Sequence, residues 1–135
     1  MPAVRLELLP LGAQTASGSG GWQAVPNASM ATVFVNVTAN SGTTPTLSVY
    51  IEGSDDGATT AYALLADFGV EIITTGDPNG TAFTTPRVFI VNAITTTNQK
   101  CQATYKHLAA DYVRARWEIG GTTPSYTFSV KLVGK

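Results

Sequence analysis

Period-two alternation of apolar and polar residues is the feature that most restricts what this chain can fold into. In the stretch Ala31-Thr32-Val33-Phe34-Val35-Asn36-Val37-Thr38, the odd positions form one apolar face. Leu47, Val49 and Ile51 alternate with Ser48, Tyr50 and Glu52. Val113, Ala115, Trp117 and Ile119 alternate with Arg114, Arg116 and Glu118, and Phe128, Val130 and Leu132 with Ser129, Lys131 and Val133. This rhythm puts alternate side chains on opposite faces of a half-buried strand. The unbroken run Val88-Phe89-Ile90-Val91 suits a strand covered on both faces. About one residue in seven is threonine, whose β-branch favours a pleated strand, and the Glu- and Lys-rich faces of exposed helices are missing. Turn residues separate the runs at Asn40-Ser41-Gly42, Asp55-Asp56-Gly57, Gly76-Asp77-Pro78-Asn79-Gly80 and Gly120-Gly121. The pattern predicts an all-β, single-domain antiparallel β-sandwich or jelly roll. One stretch, 60–68, around Tyr62, Leu64, Leu65 and Phe68, reads as a short helix or helical turn.

The chain also echoes itself. Gly42-Thr43-Thr44-Pro45 and Gly121-Thr122-Thr123-Pro124 each lie between two alternating strands. The spacing predicts the same hairpin twice, with proline stopping the ladder in the bend. Two hairpins settling on one turn solution and an internal duplication both account for it.

Residues 1–21 read as an extended N-terminal arm with a Gly/Ser linker, and 22–135 as the sandwich body. Val4, Leu6 and Leu8 alternate, Leu9 and Leu11 follow, and Ala16-Ser17-Gly18-Ser19-Gly20-Gly21 has linker composition. An apolar strand on such a leash can join its own sheet as a first strand or add to a neighbouring chain. Leu6, Leu8 and Leu9 are therefore candidate partner contacts.

Composition excludes several functions. A formal net charge of -1 and only 13% charged residues argue against a nucleic-acid platform and against a polybasic membrane binder. One cysteine and one histidine rule out an internal disulfide and multi-imidazole metal sites. No signal-peptide pattern or membrane-length apolar run is present, so the protein is expected to act where it is made or to leave by lysis or packaging. Three Asn-x-Ser/Thr sequons, at Asn27, Asn36 and Asn79, then read as chance.

No catalytic constellation emerges. His107 and Cys101 lack any nucleophile motif around them, and a surface histidine is the plain reading. Asp55-Asp56-Gly57 reads as a turn rather than a calcium loop, which needs more oxygens. Phosphate-loop and dinucleotide patterns are absent. No enzyme activity, cofactor or metal is expected. Arg114 and Arg116 share one strand face with Glu118, which reads as a cross-strand charge ladder or a site for an acidic partner. Trp117 has inward parity and belongs in the core. Tyr50 points outward and, with Trp22, Arg114 and Arg116, completes the set of candidate contact residues.

The stretch from Tyr112-Val113-Arg114-Ala115-Arg116-Trp117 through Gly120-Gly121-Thr122-Thr123-Pro124 to Val130 resembles a C-terminal hairpin of small structural proteins from tailed bacteriophages. The block from Val35 to Asp56, closed by Gly57, resembles the strand, Gly-Thr-x-Pro, strand and acidic-Gly turn that precedes it. The resemblance implies a virion component with no catalytic residues, most simply a capsid decoration (cement) protein. Its implied partners are the major capsid protein and itself, as a dimer or trimer, on the capsid surface after synthesis in the host cytoplasm. A tail-tube or head–tail completion protein is the alternative, and a carbohydrate-binding module using Tyr50 or Trp22 the second.

Overall fold

A straight strand of 24 residues would reach about 80 Å, far longer than a 135-residue domain is wide. The computed structural model nevertheless contains two strands of this kind, and the way they bend sets the architecture. It describes residues 4–25, 29–64, 68–71, 81–83, 89–91, 99–105 and 110–135. In chain order the described strands are β1 (Val4–Gln14), β2 (Gly18–Ser19), β3 (Gln23–Ala24), β4 (Ala31–Ser54), β5 (Tyr62–Ala63), β6 (Phe68–Glu71), β7 (Thr81–Phe83), β8 (Phe89–Val91), β9 (Gln99–Tyr105) and β10 (Tyr112–Gly134). All pairings among them are antiparallel, so the all-β class expected from the alternation holds.

β4 and β10 pair with each other from Ala31↔Gly134 to Ser54↔Tyr112. The two Gly-Thr-Thr-Pro segments lie opposite one another in this ribbon, at Thr43↔Thr122. The hairpins expected from the sequence therefore do not form. Residues 31–38 and 47–51 do not pair with each other; each block is one bent strand whose partner is the other block. The backbone supplies the reason. Positive φ falls on Gly42 (112°) and Thr44 (48°), and again on Gly121 (109°) and Thr123 (45°), with an ordinary residue between. A two-residue hairpin turn of the tightest type needs positive φ at two successive positions; alternation kinks the strand instead of reversing it. At the kink the strands nest so closely that a Cβ on Gly42 would lie 2.8 Å from the Thr123 carbonyl oxygen, and one on Gly121 2.8 Å from that of Thr44.

Bending folds the ribbon onto itself. Trp117 and Phe128 are 11 residues apart on β10, which would separate them by about 36 Å on a straight strand, yet their rings meet edge to face with centroids 5.8 Å apart. One curled sheet thus makes both layers of a sandwich-like body. The first layer holds β1, the second half of β10, the first half of β4, β9, β6 and β7; the second holds β2 and β3, the first half of β10, the second half of β4, β5 and β8. Between them lie the faces read from the alternation: Val33, Val35 and Val37, Leu47, Val49 and Ile51, Val113, Ala115 and Trp117, and Phe128, Val130 and Leu132, all buried.

The flanking pairs repeat as well. Gly121 follows Gly42 by 79 positions. Moving one partner forward and the other back by that interval turns Tyr112↔Ala24 into Val33↔Ala103, and Phe128↔Gly12 into Val49↔Val91; both of these pairs occur. β1, β2–β3 and β4 therefore correspond to β8, β9 and β10 about a pseudo-two-fold axis through the kink. Two convergent turns would not reproduce the register of the outer strands. The arrangement is that of an internal duplication whose halves exchange strands.

The N-terminal stretch read as an arm and linker lies on this frame. β1 pairs with β10 from Val4↔Gly134 to Gln14↔Tyr126, as a first strand of the same body. A register shift between Glu7 and Leu9 lets the successive residues Leu8 and Leu9 both turn inward, where they are 2% and 8% exposed. The Gly/Ser run packs rather than swings: Gly18 lies over the Trp117 ring, where an added Cβ would be 3.2 Å from Cζ2. The Trp117 indole donates to the Ala16 carbonyl (3.1 Å), and the Ile119 amide donates to Ser17 Oγ (2.9 Å).

The short helix expected over 60–68 is absent among the described residues. Tyr62–Ala63 instead pairs with Gly53 and Glu52 at the edge of β4, and the Leu64 amide donates to the Ile51 carbonyl (3.1 Å). The preceding turn draws the chain into that edge. Ser54 Oγ accepts from the amides of Asp56 and Gly57 at 3.2 and 2.9 Å, and Asp56 Oδ1 accepts from those of Ala58 (2.9 Å) and Thr59 (3.1 Å). The Thr59 hydroxyl, then these two amides, hold the Asp56 carboxyl well below its ordinary value of 3.8. The folded state therefore binds that proton less readily than the unfolded chain. Its contribution is present above about pH 4 and is lost as pH falls towards the folded value. Asp56→Asn is expected to shrink the loss of stability between pH 4 and pH 2 relative to the wild type, as read by urea denaturation at each pH. Identical acid limbs would show that the turn contributes nothing through this charge.

Candidate contact surface

The outer face of the second layer gathers four of the seven candidate contact residues. Alternation places Arg114 and Arg116 outward on β10, and the β4 register sets Glu52 opposite Arg114 and Tyr50 opposite Arg116. Arg114 Nε donates to Glu52 Oε1 at 2.8 Å, and its guanidinium carbon lies 4.4 Å from the centroid of the Trp22 ring. Arg116 stacks over Tyr50 at 4.0 Å, reaches Glu52 Oε2 at 3.4 Å through Nε, and donates to Glu118 Oε1 at 2.8 Å through Nη1. The Tyr50 hydroxyl donates to Glu118 Oε2 at 3.3 Å. This is the cross-strand ladder the strand parity suggested, with an aromatic ring at each arginine.

The electrostatics are self-contained. Two guanidinium and two carboxylate groups balance. The hydrogen bond to Glu118 and then the charge of Glu52 hold Arg116 above its ordinary value against the opposing effect of burial. The Arg116 hydrogen bond in turn holds the Glu118 carboxyl below its usual range. Glu52 is the hub, because it bridges both arginines and its side chain is only 15% exposed. Glu52→Gln leaves two half-buried cations side by side and is expected to cost about 1–2 kcal/mol in urea denaturation. Glu118→Gln, at the more exposed end of the ladder, should cost less than about 0.5 kcal/mol. Equal effects would refute the hub.

Beside the ladder, an open groove of about 700 Å³ runs between the β2 region and β10, lined by hydroxyls of Ser17, Ser19, Thr46 and Ser48 with Arg116 and Glu118 at one wall. Trp117 and Ile119 add apolar surface to the lining, and its one arginine and one glutamate balance in charge. Among the described residues, no group of three His, Cys, Asp or Glu side chains is placed to hold a metal ion, and no helix is long and apolar enough to cross a membrane.

The other three candidates lie elsewhere. Leu8 and Leu9 are spent in the chain's own core, and Leu6 is half-buried against it. Alternation along β1 turns Leu6 and Leu8 inward and the bulge adds Leu9, so the fold leaves little of these leucines on the surface. His107 falls outside the described residues, and Cys101 sits on β9 opposite Val35. Sequence reasoning passed over Glu52 as part of the ladder. The signal that would have found it is the echo: aligning the two Gly-Thr-Thr-Pro motifs antiparallel sets Glu52 against Arg114.

No protein-family model matches the sequence, and no curated protein matches it. Among solved structures, the fold is similar to that of the SPBc2 prophage-derived protein YomS, with a TM-score of 0.50 at 13% identity over 99% of this chain and 96% of that one. At this identity the likeness concerns the fold alone, shared end to end with a phage-derived protein. A chain in the structure of infectious bursal disease virus Gx strain aligns with a TM-score of 0.31 at 11% identity over 98% of this chain and 40% of that one, which carries no argument.

Proposed function

We propose that this chain is a structural component of a tailed-phage virion, a decoration protein that binds the outside of the capsid and reinforces the joints between major capsid subunits. The observation that carries this reading is the end-to-end sharing of its fold with a prophage-derived protein. The chemistry of the surface agrees with it. The ladder neutralises its own charges, and the groove beside it offers hydroxyls. A clamp works by spreading binding energy over many equivalent sites, so a modest interface of about 800 Å² per partner is sufficient, and self-association adds avidity. A rigid two-layer body transmits load between the subunits it touches without any reactive group.

The test is the composition and cryo-electron microscopy of purified particles of the phage that encodes the chain. Density for the chain outside the shell, in fixed ratio to the major capsid protein, is the expected result. Density confined to the tail, or absence from the particle, would overturn the reading.

A further inference from the structure

The kinked end of the ribbon carries a pair of loops the fold does not fully explain. Residues 41–44 and 121–123 are exposed, and neither 39–47 nor 119–127 contains a charged side chain. All four residues of the Gly-Thr-Thr-Pro motif are identical between the two halves, whereas none of the eight positions after it is: Thr46 to Gly53, aligned in sequence with Ser125 to Leu132, gives no match. The glycines are accounted for by the nested crossing, where any Cβ would meet backbone at 2.8 Å. The prolines pack into the same crossing, since the Cα of each lies within 3.0 Å of that would-be Cβ. The threonines are not accounted for. Thr44 and Thr123 hold φ of 48° and 45°, a region in which a β-branched residue is an outlier and glycine or asparagine sits at less cost. Strain kept where the fold does not require it points to use, and here the same costly choice stands at both pseudo-equivalent positions while their surroundings have diverged.

We propose that this end is a docking surface for two identical protein subunits, one at each Gly-Thr-Thr-Pro loop, with the pseudo-two-fold axis of the chain lying on a two-fold axis of the partner. The local chemistry specifies the contact. The Thr44 hydroxyl donates to the Thr43 carbonyl and that of Thr123 to the Thr122 carbonyl, both at 2.8 Å. Each donor is thereby satisfied, and each hydroxyl oxygen is left to accept. The matching groups on the partner are hydrogen-bond donors, and this end brings no charge of its own to the contact. Binding at this end is consequently insensitive to salt, in contrast to binding at the arginine ladder. The inference rests on the virion reading for the identity of the subunits, which are then those of the capsid.

The experiment uses full-length chain and phage particles stripped of it. Binding is measured for wild type, Thr44→Gly, Thr123→Gly, the double variant, and Thr44→Ser with Thr123→Ser. Thermal denaturation checks that each remains folded; release of strain should leave the glycine variants melting no lower than wild type. Each single glycine variant should lose about tenfold in affinity, the scale of one hydrogen-bonding group. The two losses should be equal, the double variant should lose more, and the serine variant should bind like wild type. Affinity should also persist in 1 M salt. Folded glycine variants that bind like wild type, or a loss at one loop only, would overturn the proposal while leaving the virion reading in place. A wild-type chain that fails to bind particles at all would remove both.

Discussion

Trp117→Ala is expected to lower stability by about 3–5 kcal/mol, a large part of what a domain of this size possesses. Trp117 is 5% exposed and meets Phe128 across the fold of the ribbon. Its indole also ties the N-terminal segment to β10 through Ala16, with Gly18 lying on its ring. Removing it opens a cavity between the two layers and releases β2 at the same time. Urea denaturation followed by circular dichroism measures the loss. Trp22→Ala supplies the control: half-buried under Arg114, it should cost no more than about 1 kcal/mol. A comparable loss from the two substitutions would mean that Trp117 does not bridge the layers.

Gly42→Ala and Gly121→Ala are expected to be as damaging as a core truncation in a chain this small, about 2–4 kcal/mol each. Both glycines have φ near 110°, and the added methyl would press on the carbonyls and proline of the opposite loop. The pseudo-two-fold relation makes a sharper demand: the two losses should agree within about 0.5 kcal/mol. The double substitution should fall short of their sum, because each glycine touches the loop that carries the other and the crossing is spoiled only once. Unequal single losses with full additivity would refute the nested kink.

Much of the local structure was legible because a strand needs only its own residues to declare a face. Val33, Val35 and Val37, or Val113, Ala115 and Trp117, announce the inside by spacing alone, and all are buried. The outward parity of Arg114, Arg116 and Tyr50 was legible for the same reason. Pairing was not, since a hairpin and a bent ribbon share one alternation. What separates them is the backbone at Gly42 and Thr44, where a β-branched residue takes a φ that propensity argues against. Leu8 and Leu9 misled because a bulge suspends the period of two. The ladder was half visible: its cations stood out on one strand, while Glu52, 62 residues away from Arg114, needed the register of a distant partner.

The exchange of strands also governs how the polypeptide reaches its native state during synthesis. Among the described strands, β1, β2 and β3 pair only with β10, and β4 shares its whole length with it. β1, β2 and β3 wait for the whole intervening chain, whereas β4 can already pair with β5, β8 and β9. These first three strands therefore stay unpaired until Tyr112–Gly134 has been made, and their docking closes contacts of long sequence separation, a slow and aggregation-exposed route. Loss of residues 131–134 would therefore strip Val4, Arg5, Leu6 and Glu7 of their strand partners, although more than 120 positions separate the two segments.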